Sequence, residues 1–170
     1  MASLEAPLVF ANVRDAQALA AMSRDLIEAG LGWEYRRERV ARLIGDAETV
    51  TLVSRDGLRI AGFAAMTFGD ERAHLVLLAV RPPHQRRGIG RRLVNWLVES
   101  AMTAGVASIH VELRASNSPA FAFYRAAGFA ETLRVPGYYR GRETAVRMIR
   151  MLRAPGGATQ MWRPPTLDCR

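Results

Sequence analysis

Apolar residues fall into two rhythms along this chain, and the rhythms take turns. Residues 8–13 (LVFANV) form a short apolar run that predicts a strand. Over residues 14–29 the apolar positions Leu19, Met22, Leu26 and Ile27 recur at helical intervals that Gly30 closes. A second short helix is predicted over 34–44. Two strands follow, ETVTLVS and LRIAGFAAMTF, split at Arg55, Asp56 and Gly57, where Asp-Gly is a strong hairpin signal. Residues 74–80 are apolar at nearly every position, which predicts a strand covered on both faces at the centre of the sheet. Ile89, Leu93, Trp96, Leu97 and Ala101 then mark a helix ending near Gly105. SIHVELR predicts a strand, SPAFAFYRAAG a helix stopped by Gly128, and TAVRMIRML a last strand.

This alternation predicts an α/β domain with a mixed central sheet and helices on both faces. The domain is expected over residues 1–153. From Ala154 the composition turns to Pro, Gly and isolated polar residues, which predicts a disordered tail over 154–170. A chain of 170 residues, 49% hydrophobic, suffices for one such core.

Composition removes several kinds of chemistry. The only cysteine, Cys169, sits one residue from the end, so neither a disulfide framework nor a thiolate zinc site is expected. No segment reaches the roughly 18 uninterrupted apolar residues of a membrane span, and the first ten residues lack a signal-peptide pattern, so a soluble, cytoplasmic protein without membrane contact is expected. All 24 basic residues are arginines, giving a formal net charge of +8. Without lysine no side-chain amine exists for Schiff-base catalysis. The arginine excess suits an anionic partner such as a nucleotide, a coenzyme or nucleic acid, but it is equally what a solvated basic surface looks like. Nucleic acid rests on charge alone, since the basic cluster at 86–92 has no interleaved aromatics.

That cluster belongs to the stretch LLAVRPPHQRRGIGRRL, residues 77–93, in which a strand runs through a Gly-x-Gly turn into a helix. Free backbone N–H groups at the positive end of a helix make an anion site, with phosphate the natural occupant. Two nucleotide motifs are excluded: Leu93 stands where the dinucleotide fingerprint needs its third glycine, and the phosphate-binding loop needs a lysine. A lone Gly-x-Gly is as often a structural turn.

The surrounding residues resemble a known family. Gln85, Arg86, Arg87, Gly88, Ile89 and Gly90 match the Q/R-x-x-G-x-G/A signature of the GCN5-related N-acetyltransferases. VELRASNSPAFAFYRAAGF resembles a second signature, particularly its form in bacterial enzymes that acetylate the N-terminal alanine of a ribosomal protein, and GYYRGRETAVRMIRML resembles the end of that group. The resemblance is good over residues 73–152 and extends to the first 70 only in the order of elements. It implies a mostly antiparallel sheet splayed between its fourth and fifth strands. It also implies acetyl-CoA as co-substrate, with direct transfer of acetyl to a primary amine of a peptide N-terminus or a small molecule.

The resemblance further implies residue roles. Backbone N–H groups from Arg86 to Arg91 cradle the pyrophosphate, both glycines allowing a close backbone approach. Leu78, Ala79 and Val80 meet the pantetheine arm through main-chain groups, and the Val80 N–H polarises the thioester carbonyl. Asn117 caps a helix and touches the coenzyme, Tyr124 protonates the departing thiolate, and Glu112 is the base. Trp33, Tyr35, Tyr138 and Tyr139 are expected in loops along the acceptor groove.

Other readings stand beside these. Glu112 shares a strand face with His110 and Arg114, and a carboxylate there is costly unless functional or paired with Arg114 or another arginine. Tyr124 with Phe121, Phe123 and Ala127 also fits an ordinary core. His74 and His84 read as surface or core histidines. A non-catalytic acyl-CoA sensor is a further reading, against which the presence of both Glu112 and Tyr124 counts. Monomer and homodimer both remain open.

Overall fold

A computed structural model describes residues 6–153; the expected tail at 154–170, with Cys169, lies outside them. Seven strands make one sheet: β1 (Leu8–Phe10), β2 (Thr49–Asp56), β3 (Arg59–Phe68), β4 (Arg72–Val80), β5 (Ser108–Arg114), β6 (Ala130–Tyr139) and β7 (Glu143–Met151). Their spatial order is β1-β2-β3-β4-β5-β7-β6. Only β4 and β5 run parallel, so the sheet is mixed and mostly antiparallel, as expected.

The helices cover both faces. On one side α1 (Ala16–Met22), continued by a π-helical turn at Ser23–Ile27, and α2 (Arg37–Gly45) pack Leu19, Met22 and Val40 on Val53, Phe63 and Leu77. On the other side α3 (Ile89–Thr103) and α4 (Ser118–Ala126) form the larger core, in which Leu93, Leu97, Ile109 and Met148 are fully buried. Each such side chain contributes about 1.5–3 kcal/mol of burial, which fixes the strands between two layers.

The central strand departs from regular geometry in a way that makes the site. Ala65 pairs with Leu77 but Met66 with Leu75, so Val76 is an extra residue bulged out of β4. The faces exchange there. Ala73 and Leu75 belong to the α3 core, whereas Leu77 and Ala79 belong to the α1 core. β4 pairs with β5 only through Arg72↔Ser108, Ala73↔Ile109 and His74↔His110, and beyond that point the two strands separate. The strand expected to be covered on both faces is therefore only half-buried at Leu78 and Val80, beside an open gap.

Three expectations are corrected. The first strand ends at Phe10, because Asn12 caps a 3₁₀ turn at Val13–Asp15. The second helix begins at Arg37, not at residue 34, since the N–H groups of Glu34 and Tyr35 donate to the buried Glu28 carboxylate. Strand β6 was not expected: it contains Pro136 and Gly137, is largely exposed, and survives as a sheet edge, where a proline removes no needed ladder bond. Tyr138 and Tyr139 accordingly sit at the end of this strand.

Candidate active site

Between β4 and α3 the chain makes a 3₁₀ turn at Pro82–His84, then passes through two left-handed residues, Arg86 at φ 61° and Gly88 at φ 79°. Gly88 is the N-cap of α3 and accepts the N–H of Arg92 on its carbonyl. The backbone N–H groups of Arg86, Arg87, Gly88, Ile89, Gly90 and Arg91 donate to no described residue. Six free donors at the positive end of a fifteen-residue helix form an anion cradle. The glycines differ in their reasons. A Cβ at Gly88 meets open space, so its left-handed φ is what selects glycine. A Cβ at Gly90 lies 3.3 Å from the Phe123 ring, so there close packing decides.

Next to this turn lies the open edge of β4. Arg81 donates its N–H to Ala61 of β3, and main-chain direction alternates along a strand. Val80 and Leu78 therefore aim their N–H and C=O groups into the gap, and the Gln85 side chain already reaches the Val80 carbonyl at 2.9 Å. Ala79 departs from expectation. Its main-chain groups face Phe63 of β3 and its side chain faces the α1 core, so it contributes spacing and no donor to the gap.

A cleft of about 490 Å³ runs through the gap from one face of the sheet to the other. Leu78, Asn117, Ala120 and Tyr124 line it on the α4 side; Tyr35, Arg39, Tyr138, Tyr139 and Arg140 line it toward α1 and the β6–β7 hairpin. All four tyrosines of the chain open onto this one cavity. Asn117 caps α4 by accepting the Ala120 N–H at 3.2 Å and borders the cleft, so both of its expected roles are compatible. Tyr124 is only 7% exposed and packs edge-on against Phe123 and Phe129. It is core and cleft wall at once. Burial, reinforced by Tyr139, pushes its phenol well above the ordinary tyrosine value, so it keeps its proton at neutral pH.

Glu112 enters from β5 with its side chain 18% exposed. The ion-pair partner is not Arg114. Arg147, directly opposite on β7, donates from Nε at 3.1 Å and Nη2 at 2.7 Å to Oε1, while the Tyr138 hydroxyl donates to Oε2 at 3.0 Å. Burial works to raise this carboxyl, but the hydrogen bonds from Arg147 and Tyr138, with His74 nearby, outweigh it and hold the group below the usual range. Arg114 is occupied elsewhere, on the carbonyls of Ile27 and Ala29 and near Glu143.

Several contributors were absent from the sequence reading or placed differently in it. Glu28 binds the N–H groups of Glu34 and Tyr35 and the Ser23 hydroxyl, and so shapes the loop over the cleft. His74 lines the cleft with Nε2 3.8 Å from Glu112. His84 pairs with Asp56 at 2.8 Å and braces the hairpin instead. Trp33, expected in the groove, does not line it; the ring lies against Arg24 and Arg36 and donates to the Tyr35 carbonyl. Arg140 could have been found by its place beside Gly141, both with positive φ in a hairpin tip. Among the described residues no His, Cys, Asp and Glu group could hold a metal ion.

The site thus combines a mixed sheet splayed at its one parallel pair with a cradle of N–H groups at the start of α3. The acetyltransferase (GNAT) family profile matches residues 19–129, and the chain belongs to that family. It is 40% identical over 93 residues to the [ribosomal protein bS18]-alanine N-acetyltransferase of Salmonella typhimurium, a match covering 53% of this chain and 63% of that protein. It is 34% identical over 87 residues to the streptothricin acetyltransferase of Streptomyces lavendulae, covering 50% of this chain and 46% of the other. The chain thus spans less than two thirds of the length of these curated relatives. The crystal structure of the ribosomal-protein-S18-alanine N-acetyltransferase from Escherichia coli superposes with a TM-score of 0.76 at 26% identity, covering 89% of this chain and 97% of that one.

Proposed function

We propose that this protein transfers acetyl from acetyl-CoA directly to a primary amine, with a peptide or protein N-terminus as acceptor. The observation that carries the reading is the neighbourhood of two features along β4 and the turn after it: N–H groups of Arg86 to Arg91 that donate to no described residue, and a cleft through the splayed sheet lined by Leu78, Glu112 and the tyrosines. Acetyl-CoA supplies an acetyl thioester when bound. The residues fit it: the N–H groups of Arg86 to Arg91 suit a pyrophosphate, and Leu78 and Val80 offer main-chain partners to an amide-bearing arm.

The chain's own groups meet the demands of the reaction. The Val80 N–H, aimed into the gap, supplies a donor for carbonyl oxygen as it gains charge. Tyr124, protonated throughout the working range, donates a hydrogen bond to the leaving sulfur. Full transfer from so weak an acid to a thiolate of ordinary pKa, about 8.5, is uphill, so its contribution is stabilisation ahead of complete protonation. Glu112, ionised at neutral pH, draws the ammonium into the cleft and accepts a hydrogen bond from it; complete transfer to a carboxylate held this low is uphill until the new N–C bond acidifies the nitrogen.

The relatives support an N-terminal acceptor through the S18-alanine enzymes, while the streptothricin acetyltransferase supports a small-molecule amine as the second reading. Release of free thiol from acetyl-CoA, measured against peptides with free N-termini and against small amines, decides. Turnover with Ala-initiated peptides supports the first reading, and turnover with small amines alone the second. Binding of acetyl-CoA with no thiol release from any amine would leave only the sensor.

A further inference from the structure

We propose that Arg147, together with Tyr138, is a positioning residue that clamps the Glu112 carboxylate in one orientation over the cleft. The inference rests on the transfer reaction proposed above and concerns how its carboxylate is held. Arg147 is not part of the cleft wall; it stands behind Glu112 and acts through it. The two residues face each other in register across the β5–β7 ladder, so backbone pairing sets their separation. Both guanidinium contacts fall on Oε1, and Tyr138, reaching over from β6, takes Oε2. An arginine fork can hold one oxygen with two N–H groups in a fixed plane, which a rotating lysine ammonium cannot.

Other groups face Glu112 from each packed element: His74 from β4, His110 and Arg114 on β5, Tyr138 and Tyr139 from β6, and Tyr35 from the loop before α2. None of them replaces Arg147. Burial lowers the His110 imidazole, with Arg72, His74 and Arg147 adding to the effect, so it carries little charge at neutral pH. Tyr139 is pushed up to about 12, chiefly by burial, and Tyr35 and Tyr138 are also raised, so all three stay uncharged. Arg114 is held by carbonyls and Glu143. Among the described residues, the one permanent cation hydrogen-bonded to Glu112 is Arg147. Without it, burial is left as the largest influence and drives the carboxyl upward.

The test is a pair of titrations on wild type, Arg147→Met and Arg147→Lys. One follows the Glu112 side-chain carboxyl by NMR with the free enzyme. The other follows kcat/KM against pH. The wild-type carboxyl should titrate below the ordinary range, with no acid limb near neutral pH beyond the amine's own titration. In Arg147→Met the carboxyl midpoint should move up, and kcat/KM should fall more steeply than in wild type as pH is lowered from 8. Arg147→Lys should lie between. A role confined to stability would lower Tm and leave both titrations on the wild-type curve, and that outcome overturns the proposal. If Arg147→Met does not fold, Arg147→Lys and Tyr138→Phe each remove part of the clamp. Upward shifts in both support it, and unmoved midpoints in both overturn it. If wild type turns over no amine, the reaction reading fails, and the NMR titration still decides whether the clamp exists.

Discussion

The two sides of the candidate site are built from different materials. The side formed by β4 and the β4–α3 turn works with backbone: six N–H groups that donate to no described residue, the open edge at Leu78 and Val80, and no acidic residue anywhere from Arg72 to Val98. The wall formed by β5, the β6–β7 hairpin and the loop before α2 works with side chains. There Glu28, Glu34 and Glu112 are each committed to a partner, and three tyrosines stay protonated above their ordinary range. A backbone cradle tolerates changes of side chain but not of conformation. A side-chain wall responds the opposite way, since removing a single hydroxyl or carboxylate leaves its partner exposed to the loss.

The largest effect should come from breaking the backbone wall. Gly88→Asp places a carboxylate at the proposed phosphate site, in open space, at a left-handed position whose strain for a side chain is about 1–2 kcal/mol. The variant should fold yet lose the rise in Tm that acetyl-CoA gives wild type, worth about 2.7 kcal/mol at a hundredfold excess over Kd. An undiminished ligand response in a folded variant would remove the turn from the binding site.

Next comes Tyr124→Phe, which keeps the packing against Phe123 and Phe129 and removes only the hydroxyl. Tm should hold while kcat falls by roughly 10² to 10⁴. Unchanged turnover would return Tyr124 to the core alone. Glu112→Gln should cost less, about tenfold to a hundredfold near neutral pH, with the deficit shrinking as pH rises and more of the amine is already neutral. A destabilised variant with the wild-type pH profile would make Glu112 structural.

Smaller effects sharpen the contrast. Gly90→Ala pushes a methyl toward the Phe123 ring and should cost about 1 kcal/mol, a fall in Tm of about 2–4 °C. The Glu112 carboxyl, held low in the folded state, stabilises the protein above the unfolded value and loses that contribution as pH falls through the folded one. The Tm gap between wild type and Glu112→Gln should therefore be widest near pH 7 and close on acidification; a gap independent of pH would contradict the ionised pair.

The backbone wall was legible in the sequence because its information is local. Gln85 to Gly90 carry a turn, a helix start and an anion cradle within one short stretch, and β5, α3 and α4 fell within a residue or two of their expected limits. Asn117 and Tyr124 were likewise found through motif. The side-chain wall was not legible, because its pairs join distant segments: Glu112 with Arg147, Tyr138 with Glu112, Glu28 with the loop that precedes α2. Arg114, two positions from Glu112 and on the same face, was the partner that local reasoning offered. Strand β6 escaped because an exposed edge carries no apolar alternation, and Pro136 argued against it. By itself the sequence determined the order of elements other than β6, the turn that forms the cradle and the chemistry its residues could supply. Tertiary structure alone decided that Ala79 turns away from the gap and that Arg147 holds Glu112. A bulge at Val76 and the register of β5 on β7 set those facts, and both depend on strand pairing between segments that no short stretch contains.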